Sequence, residues 1–365
     1  MRRVILAATA LGMGTTAAFA GGVERSNQSV GVLFEEGRYL EFGFTTADPK
    51  VSGAIGPFQS GDMTNSFLNF GAAYKADINE EWSYAIILNQ PYGADVTYPL
   101  VAYPFAGSSA ELKSNALTGM VKYTTPSNVS VYGGLRLQSL EATAVVNLPN
   151  LGTPDPLDSI PYTGTVERGY ELGYLVGAAY ERPDIALRVS LTYNSAIDYD
   201  LGTVETLGLP TEIDSSTEIT TPKSLHLEFQ TGIAADTLLF GGIRWVEWTE
   251  FSIAPQVYTD TIGSPLVSFE DDRITWTLGL GRRLNENWAV AGSVSYEEHT
   301  GSLTGNLGPT DGLLATTIGA TYTTGQTEIT AGVSYVDIGD ANTTATASFE
   351  NNSAIGFGMK VGYTF

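Results

Sequence analysis

The stretch that decides the fold is IGFGMKVGYTF, residues 355–365. Every second residue from Ile355 through Phe357, Met359, Val361 and Tyr363 to Phe365 is apolar or aromatic. Gly356, Gly358, Lys360, Gly362 and Thr364 between them are small or polar. A period of two places successive side chains on opposite faces of an extended chain, so this is a strand with one greasy face. Its length of about ten residues is what a tilted strand needs to cross a bilayer.

The same alternation recurs. In IALRVSLTYN, residues 185–194, Ile185, Leu187, Val189, Leu191 and Tyr193 oppose Arg188, Ser190, Thr192 and Asn194. RITWTLGLGRR (273–283), GYELGYLVGAAY (169–180) and SLHLEFQTGI (224–233) follow the same rule. About fourteen such segments can be marked, from 37–47 to 353–365. Their connections alternate between short turns such as INEE, TPSN, ERPD and TGQ and long segments rich in Gly, Pro, Asp, Ser and Thr. An up-and-down meander with tight turns at one rim and loops at the other has this layout. Tyr74, Trp82, Tyr123, Tyr180, Trp288, Tyr322, Tyr363 and Phe365 flank the short turns, where an interfacial aromatic girdle belongs. The expected fold is all-β, a transmembrane antiparallel barrel of about fourteen strands over residues 37–365, with residues 21–36 as a short segment before it.

Composition agrees. Arg2 and Arg3, an apolar run VILAATALGM and Ala18-Phe19-Ala20 have the form of a signal peptide over residues 1–20. The chain has 365 residues and a net charge of −22. Without Arg2 and Arg3 its 18 basic residues become 16 against 40 acidic ones, a charge of −24. Such a balance repels phosphate backbones and excludes a nucleic-acid partner. There is no cysteine, so an exported chain of this length relies on packed or lipid-facing surface and not on disulfides. Mean hydropathy of +0.01 fits a wall that shows only half of its residues to lipid.

Little in the chain suggests catalysis. The histidines are His226 and His299. His226 belongs to the polar face of its strand with Glu228, near Lys223 and Ser224, and a lumenal polar pair outweighs a lipase-like serine–histidine arrangement, because a nucleophile acting on lipid must face lipid. His299 has no second ligand at metal spacing. GFGMKVG, residues 356–362, lacks the helix that a nucleotide loop requires, and Glu270-Asp271-Asp272 reads as a solvated loop before it reads as a calcium site. Neither an enzyme, a cofactor nor a metal is expected.

Several stretches together resemble the FadL family of outer-membrane transporters for long-chain fatty acids and other hydrophobic compounds. They are residues 169–201, 221–251 (TPKSLHLEFQTGIAADTLLFGGIRWVEWTEF) and 269–297, and SYAIILNQPYGADVTYP (83–99), which is similar to the family's third strand with its Pro-x-Gly break. The likeness spans most of residues 37–365. It implies a monomeric fourteen-stranded barrel in outer-membrane lipid, an amino-terminal hatch inside the lumen and an opening in the wall at the third strand. Separately, the terminal Phe365 after alternating aromatics such as Tyr363 resembles the carboxy-terminal signature of bacterial outer-membrane barrels, which barrel-assembly machinery reads. The break falls on Asn89, Gln90, Pro91, Tyr92 and Gly93; Pro91 cannot donate a ladder bond and Gly93 weakens a strand. The family's hatch is longer and carries an Asn-Pro-Ala motif that GGVERSNQSVGVLFEEG (21–37) lacks. Val30, Leu33 and Phe34 have no core of their own there, and they pack either inside the barrel beside a ligand or in a periplasmic tail.

The expected function is passive transport of a hydrophobic small molecule, a long-chain fatty acid or a hydrocarbon, by lumenal binding and lateral exit. Val30, Leu33, Phe34, Glu171, Arg188, His226 and Glu228 are the candidate ligand-binding residues. The alternative is a general diffusion porin for small hydrophilic solutes, whose lumen Arg136, Arg188, Arg244, Glu171 and Glu228 would line with charge. Acidic loops carrying Glu270, Asp271, Asp272, Glu297 and Glu298 repel a carboxylate, which either divalent cations or a neutral hydrocarbon substrate would relieve.

Overall fold

Strands that are greasy on one face and polar on the other bury neither edge until the sheet closes on itself. In the computed structural model, which describes residues 22–149 and 158–365, it does close. The expected signal peptide, residues 1–20, lies outside these residues. Fourteen strands follow one another: β1 (Tyr39–Lys50), β2 (Phe67–Asp77), β3 in two halves (Trp82–Asn89 and Gly93–Thr97), β4 (Ser109–Thr124), β5 (Val129–Pro149) and β6 (Ser159–Arg182). Then come β7 in two halves (Leu187–Asn194 and Ile197–Leu207), β8 likewise (Leu209–Thr221 and Ser224–Ala234), β9 (Thr237–Val246), β10 (Arg273–Arg283), β11 (Trp288–Glu297), β12 (Leu313–Thr324), β13 (Thr327–Ile338) and β14 (Asn352–Thr364). Each pairs antiparallel with the next, and β14 pairs β1 in an unbroken register from Tyr39↔Thr364 to Lys50↔Ser353. Closure leaves the barrel no free edge for aggregation or for unpaired backbone in lipid.

The alternation sorts side chains as anticipated. On β6 Leu172 is 65% exposed and faces outward, whereas Leu175, of the opposite parity, is 1% exposed. Ile274, Trp276, Leu278 and Leu280 of β10 all face out. The short turns gather at one rim, the periplasmic one in this class of protein, and Asn128, Ala186, Asp236 and Gly325 take positive φ there. Beside them the girdle forms in pairs, with ring centroids 4.9 Å apart for Trp82–Tyr123, 5.0 Å for Trp288–Tyr322 and 4.9 Å for Tyr363–Phe365.

At the other rim the loops build a roof. Four short strands, Gly53–Ile55, Phe58–Gln59, Ala341–Asn342 and Ser348–Phe349, make a small sheet over a core that includes Met63, Tyr98, Tyr103 and Phe349. The loop after β9 carries a helix, α1 (Gln256–Ile262). The buried Glu205 carboxylate of β7 accepts from Val257 N at 3.0 Å, Tyr258 N at 2.9 Å and Tyr162 Oη at 3.0 Å, so an anion satisfies the first-turn donors of α1. Asp311 ties a second loop: its carboxylate accepts from Thr300 N, Gly301 N and Arg273 Nη1. Asp272 accepts from Thr249 and from Trp245 Nε1. That carboxylate of the acidic run is therefore a loop tether, and among the described residues no acidic or histidine cluster is arranged to hold a metal.

Two lapses interrupt the wall. One lies between β2 and β3. The other lies between β6 and β7, which pair up to Leu175↔Asn194 and again from Val166↔Thr203. There the inward side chains of Ile197 and Leu201 seat over Gly173 and Gly169, where an added Cβ would lie 2.7 and 2.1 Å from them.

Removing the Glu205 carboxylate should leave two amide donors of α1 without partners, at about 1–3 kcal/mol each. Glu205→Ala is therefore expected to make the 247–272 loop cleavable by added protease while the barrel keeps its heat-modifiable gel mobility.

Candidate functional site

The site starts where β3 fails as a strand. Pro91 has no N–H and a fixed φ, so a ladder cannot run through it. Pairing of β2 with β3 runs from Asp77↔Ser83 to Ala72↔Leu88, lapses, and resumes as the single bridge Thr64↔Val96. The bonds that β3 withholds from β2 go inward. Pro91 O accepts from Arg25 N at 2.8 Å and Ser26 N at 3.3 Å, Gly93 N donates to Val23 O at 2.8 Å, and Glu24 bridges Tyr92. Arg25 Nε adds a bond to Gly93 O at 2.8 Å. Residues 23–26 thus act as a local partner strand inside the barrel. On the far side of β3, Ser114 of β4 accepts from Tyr92 N at 2.8 Å and donates to Tyr92 O at 2.7 Å.

The rest of the amino-terminal segment is held by lumenal polar groups. The buried Glu24 carboxylate pairs with Arg244 of β9, whose Nε lies 3.2 Å from Oε2. Gln28 accepts from Arg136, which also donates to Thr118 Oγ1 at 3.1 Å and Asn194 Oδ1 at 3.1 Å. Ser29 Oγ donates to Glu228 Oε1 at 2.9 Å. A 3₁₀ turn, Gly31–Phe34, then packs Val30, Leu33 and Phe34 against Ala73, Ala85, Met120, Tyr132 and Leu175. Phe34 meets Tyr132 edge-on at 6.0 Å, with Arg188 at 4.6 Å and Lys122 at 4.7 Å from its ring, within cation–π range. The segment lies within the barrel and is not a periplasmic tail.

Three cavities surround it. An apolar one beneath the roof is lined by Val23, Leu112, Val166, Ile253, Leu266 and Phe269 among others, and Glu111 is its sole charged residue. A second, on the other side of Val23, reaches Met63, Phe67 and Val96. The third lies directly behind the lapse, between Phe44, Phe70, Ile87 and Leu88, with Arg25, Arg188 and Lys360 on its polar side. It is the largest, about 180 Å³ against about 70 and 140 Å³. Val23 is shared by the first two cavities and Arg25 by the last two, so the segment itself divides them. Arg25 also lies over the Phe67 ring, 3.2 Å from its centroid. Gly22 rests on Trp248, where a Cβ would come within 2.9 Å and φ is +79°; Trp248 is the buried centre of a cluster with Tyr92, Phe251 and Phe269.

The structure brings together Arg188, His226 and Glu228 as inward neighbours on β7 and β8. It leaves Glu171 exposed on the unpaired stretch of β6, well above Glu181, the cross-strand partner of Arg188. Val30, Leu33 and Phe34 are committed to the wall; Val32 is the apolar residue of that turn that faces a cavity. Asn89 and Gln90 line the cavity behind the lapse, and Pro91, Tyr92 and Gly93 hold the segment. Sequence reasoning missed Val23, Glu24, Arg25 and Trp248. An acidic residue beside a basic one, Glu24 and Arg25, near the start of the described chain was the available signal, but the partner of Glu24, Arg244, is 220 positions away.

A profile described as outer membrane protein transport protein (OMPP1/FadL/TodX) matches residues 32–365. The chain belongs to this family. Solved structures of similar fold include a FadL homologue of Pseudomonas aeruginosa (TM-score 0.79, 14% identity, 98% of each chain covered). The toluene transporter TodX of Pseudomonas putida gives 0.67 at 13% identity, with 98% of this chain and 97% of that one covered. TbuX, the toluene transporter of Ralstonia pickettii, gives 0.67 at 12%, with 97% and 99% covered. No curated protein matches. This OMPP1/FadL/TodX member is a protein of the bacterial outer membrane, in a family that transports hydrophobic compounds.

Breaking a buried ion pair from one side costs roughly 3–5 kcal/mol, because the other charge is stranded. Glu24→Gln is therefore expected to undock the amino-terminal segment. Limited proteolysis should then cut within residues 23–36 of the folded protein, which the native chain resists.

Proposed function

We propose that the protein carries neutral hydrophobic small molecules passively, from the apolar cavity under the roof past Val23–Arg25 to the lapse between β2 and β3, and out sideways into the membrane. The observation that carries this reading is the coincidence of a wall interruption with the largest of the three cavities, whose outer lining is Phe44, Phe70 and Leu88. A molecule there touches lipid-facing side chains without passing the periplasmic rim. Affinity needs no catalysis: each methylene moved out of water contributes about 0.8 kcal/mol.

The lining of the upper cavity favours a neutral ligand. Its one charged residue is Glu111, paired with Lys113 at 2.6 Å, so a carboxylate would be desolvated there without a counter-charge. Long-chain fatty acids are the second reading, supported by Arg25 and Arg188 in the cavity behind the lapse. The porin reading is disfavoured, because Arg136, Arg244 and Glu228 are tied to the amino-terminal segment and do not border an open channel.

Two measurements test this. Titration of the purified barrel with toluene, hexadecane and palmitate should rank the neutral ligands above palmitate, and Val166→Asp should weaken them on the order of 100-fold by burying a charge in the cavity. A disulfide staple across the lapse, Asn69→Cys with Pro91→Cys in a chain that has no cysteine of its own, should stop transfer to vesicles when oxidised and restore it when reduced. Unchanged transfer through the oxidised staple would sink lateral exit.

A further inference from the structure

The lapse between β2 and β3 is an opening in an otherwise continuous register. Ala72↔Leu88 below it and Thr64↔Val96 above it follow the same pairing, in which Phe70 stands opposite Gln90. β3 takes up one extra residue against β4 here, between Asn89↔Ala116 and Gly93↔Lys113. Its pairing with β2 has the same register on both sides, so those two edges can separate and meet again in the same pairing. Across the opening the Phe70 N–H points at β3, where the ladder has lapsed and the Pro91 carbonyl is turned inward to Arg25 and Ser26. The acceptor it finds is a side chain: Gln90 Oε1, at 2.9 Å. Gln90 Nε2 in turn reaches Asn115 Oδ1 of β4 at 3.4 Å.

One amide side chain therefore spans the opening and is anchored to β4 behind it. Its neighbours on the outer face, Phe70 and Leu88, are 61% and 52% exposed, and their side chains offer no hydrogen bond. An N–H facing hydrocarbon has no water to turn to, so losing the Gln90 acceptor leaves it bare.

We propose that Gln90 is the latch of the opening. Its side chain holds the free edge of β2 between passages, and the bond to Phe70 N–H breaks each time a hydrophobic molecule slips out between Phe70 and Leu88. Gln90 is then a positioning residue that governs the rate of exit without contributing to affinity in the upper cavity. This rests on the lateral exit proposed above, and the experiment separates the two.

The full chain in detergent is loaded with N-phenyl-1-naphthylamine, a neutral fluorescent hydrophobe, and mixed with phosphatidylethanolamine–phosphatidylglycerol vesicles, and the transfer rate is followed by stopped flow. Gln90→Leu keeps the bulk and removes the acceptor. Transfer should quicken on the order of tenfold, the worth of one such bond, with the Phe70 amide exchanging faster with deuterium. Gln90→Glu keeps an acceptor for Phe70 while losing the donor to Asn115, and should transfer at close to the native rate. If Gln90→Leu fails to assemble, Gln90→Ala removes the same acceptor. Native or slower transfer in these acceptor-less variants overturns the latch. If the latch alone is wrong, the oxidised Asn69–Pro91 staple still blocks transfer. If lateral exit is wrong, the staple makes no difference.

Discussion

Backbone hydrogen bonding in a medium without water is the constraint on which this molecule depends. Every amide and carbonyl of a strand in lipid must be answered by a neighbouring strand, and closure of β14 on β1 achieves this around the wall. The functional site is the place where the rule is bent. Pro91 removes one donor, β3 turns its next carbonyl inward, and the deficit is shared between two replacements. Residues 23–26 answer β3 from within, and the Gln90 side chain answers β2 from without. The amino-terminal segment is therefore part of the hydrogen-bonding of the wall as well as an obstruction in the lumen.

The two wall interruptions show how differently the same lapse can be resolved. Both preserve register from one side to the other. Between β6 and β7 glycines make room and aliphatic side chains fill it: Leu201 lies on Gly169 and Ile197 on Gly173, with their inner surfaces in the apolar core that contains Leu140, Val166 and Trp248. That seam is sealed by packing. Between β2 and β3 the filling is a cavity and a single polar stitch. A core of interdigitated side chains costs far more to part than one hydrogen bond, so the second interruption is the easier of the two to open.

Much of the barrel was legible because its code is local. A period of two announces which face of each strand meets lipid, and the short turns and their flanking aromatics mark one rim, so Ile355 to Phe365 alone point to the fold. The break at Asn89–Gly93 was legible for the same reason, since proline and glycine act on their own backbone. The lumen was not. Whether Glu24 finds Arg244, or Gln28 finds Arg136, depends on closure bringing distant strands around a common axis, and no pattern in neighbouring residues encodes it. Val30, Leu33 and Phe34 show the limit well. Their apolar character left a lumenal and a periplasmic place equally open, and only closure of the barrel brings Ala73, Met120 and Tyr132 together for them to pack on. Glu171 marks another, because parity put it on the lumenal side and the seam beside it left it apart from Arg188, His226 and Glu228.

The length of β6 sets the height at which the apolar cavity stands. It runs 24 residues, roughly 80 Å of extended chain at about 3.3 Å per residue, while the apolar band of such a barrel is about 25 Å tall. Even at a steep tilt, β5 and β6 rise far above the hydrocarbon, and Tyr162, Gly164 and Val166 of the apolar cavity belong to that raised part. The carbohydrate coat that covers this face of the cell turns greasy solutes away. A tower of this height lifts the apolar cavity out of the hydrocarbon and into the level of that coat, walled by protein where the surroundings are polar.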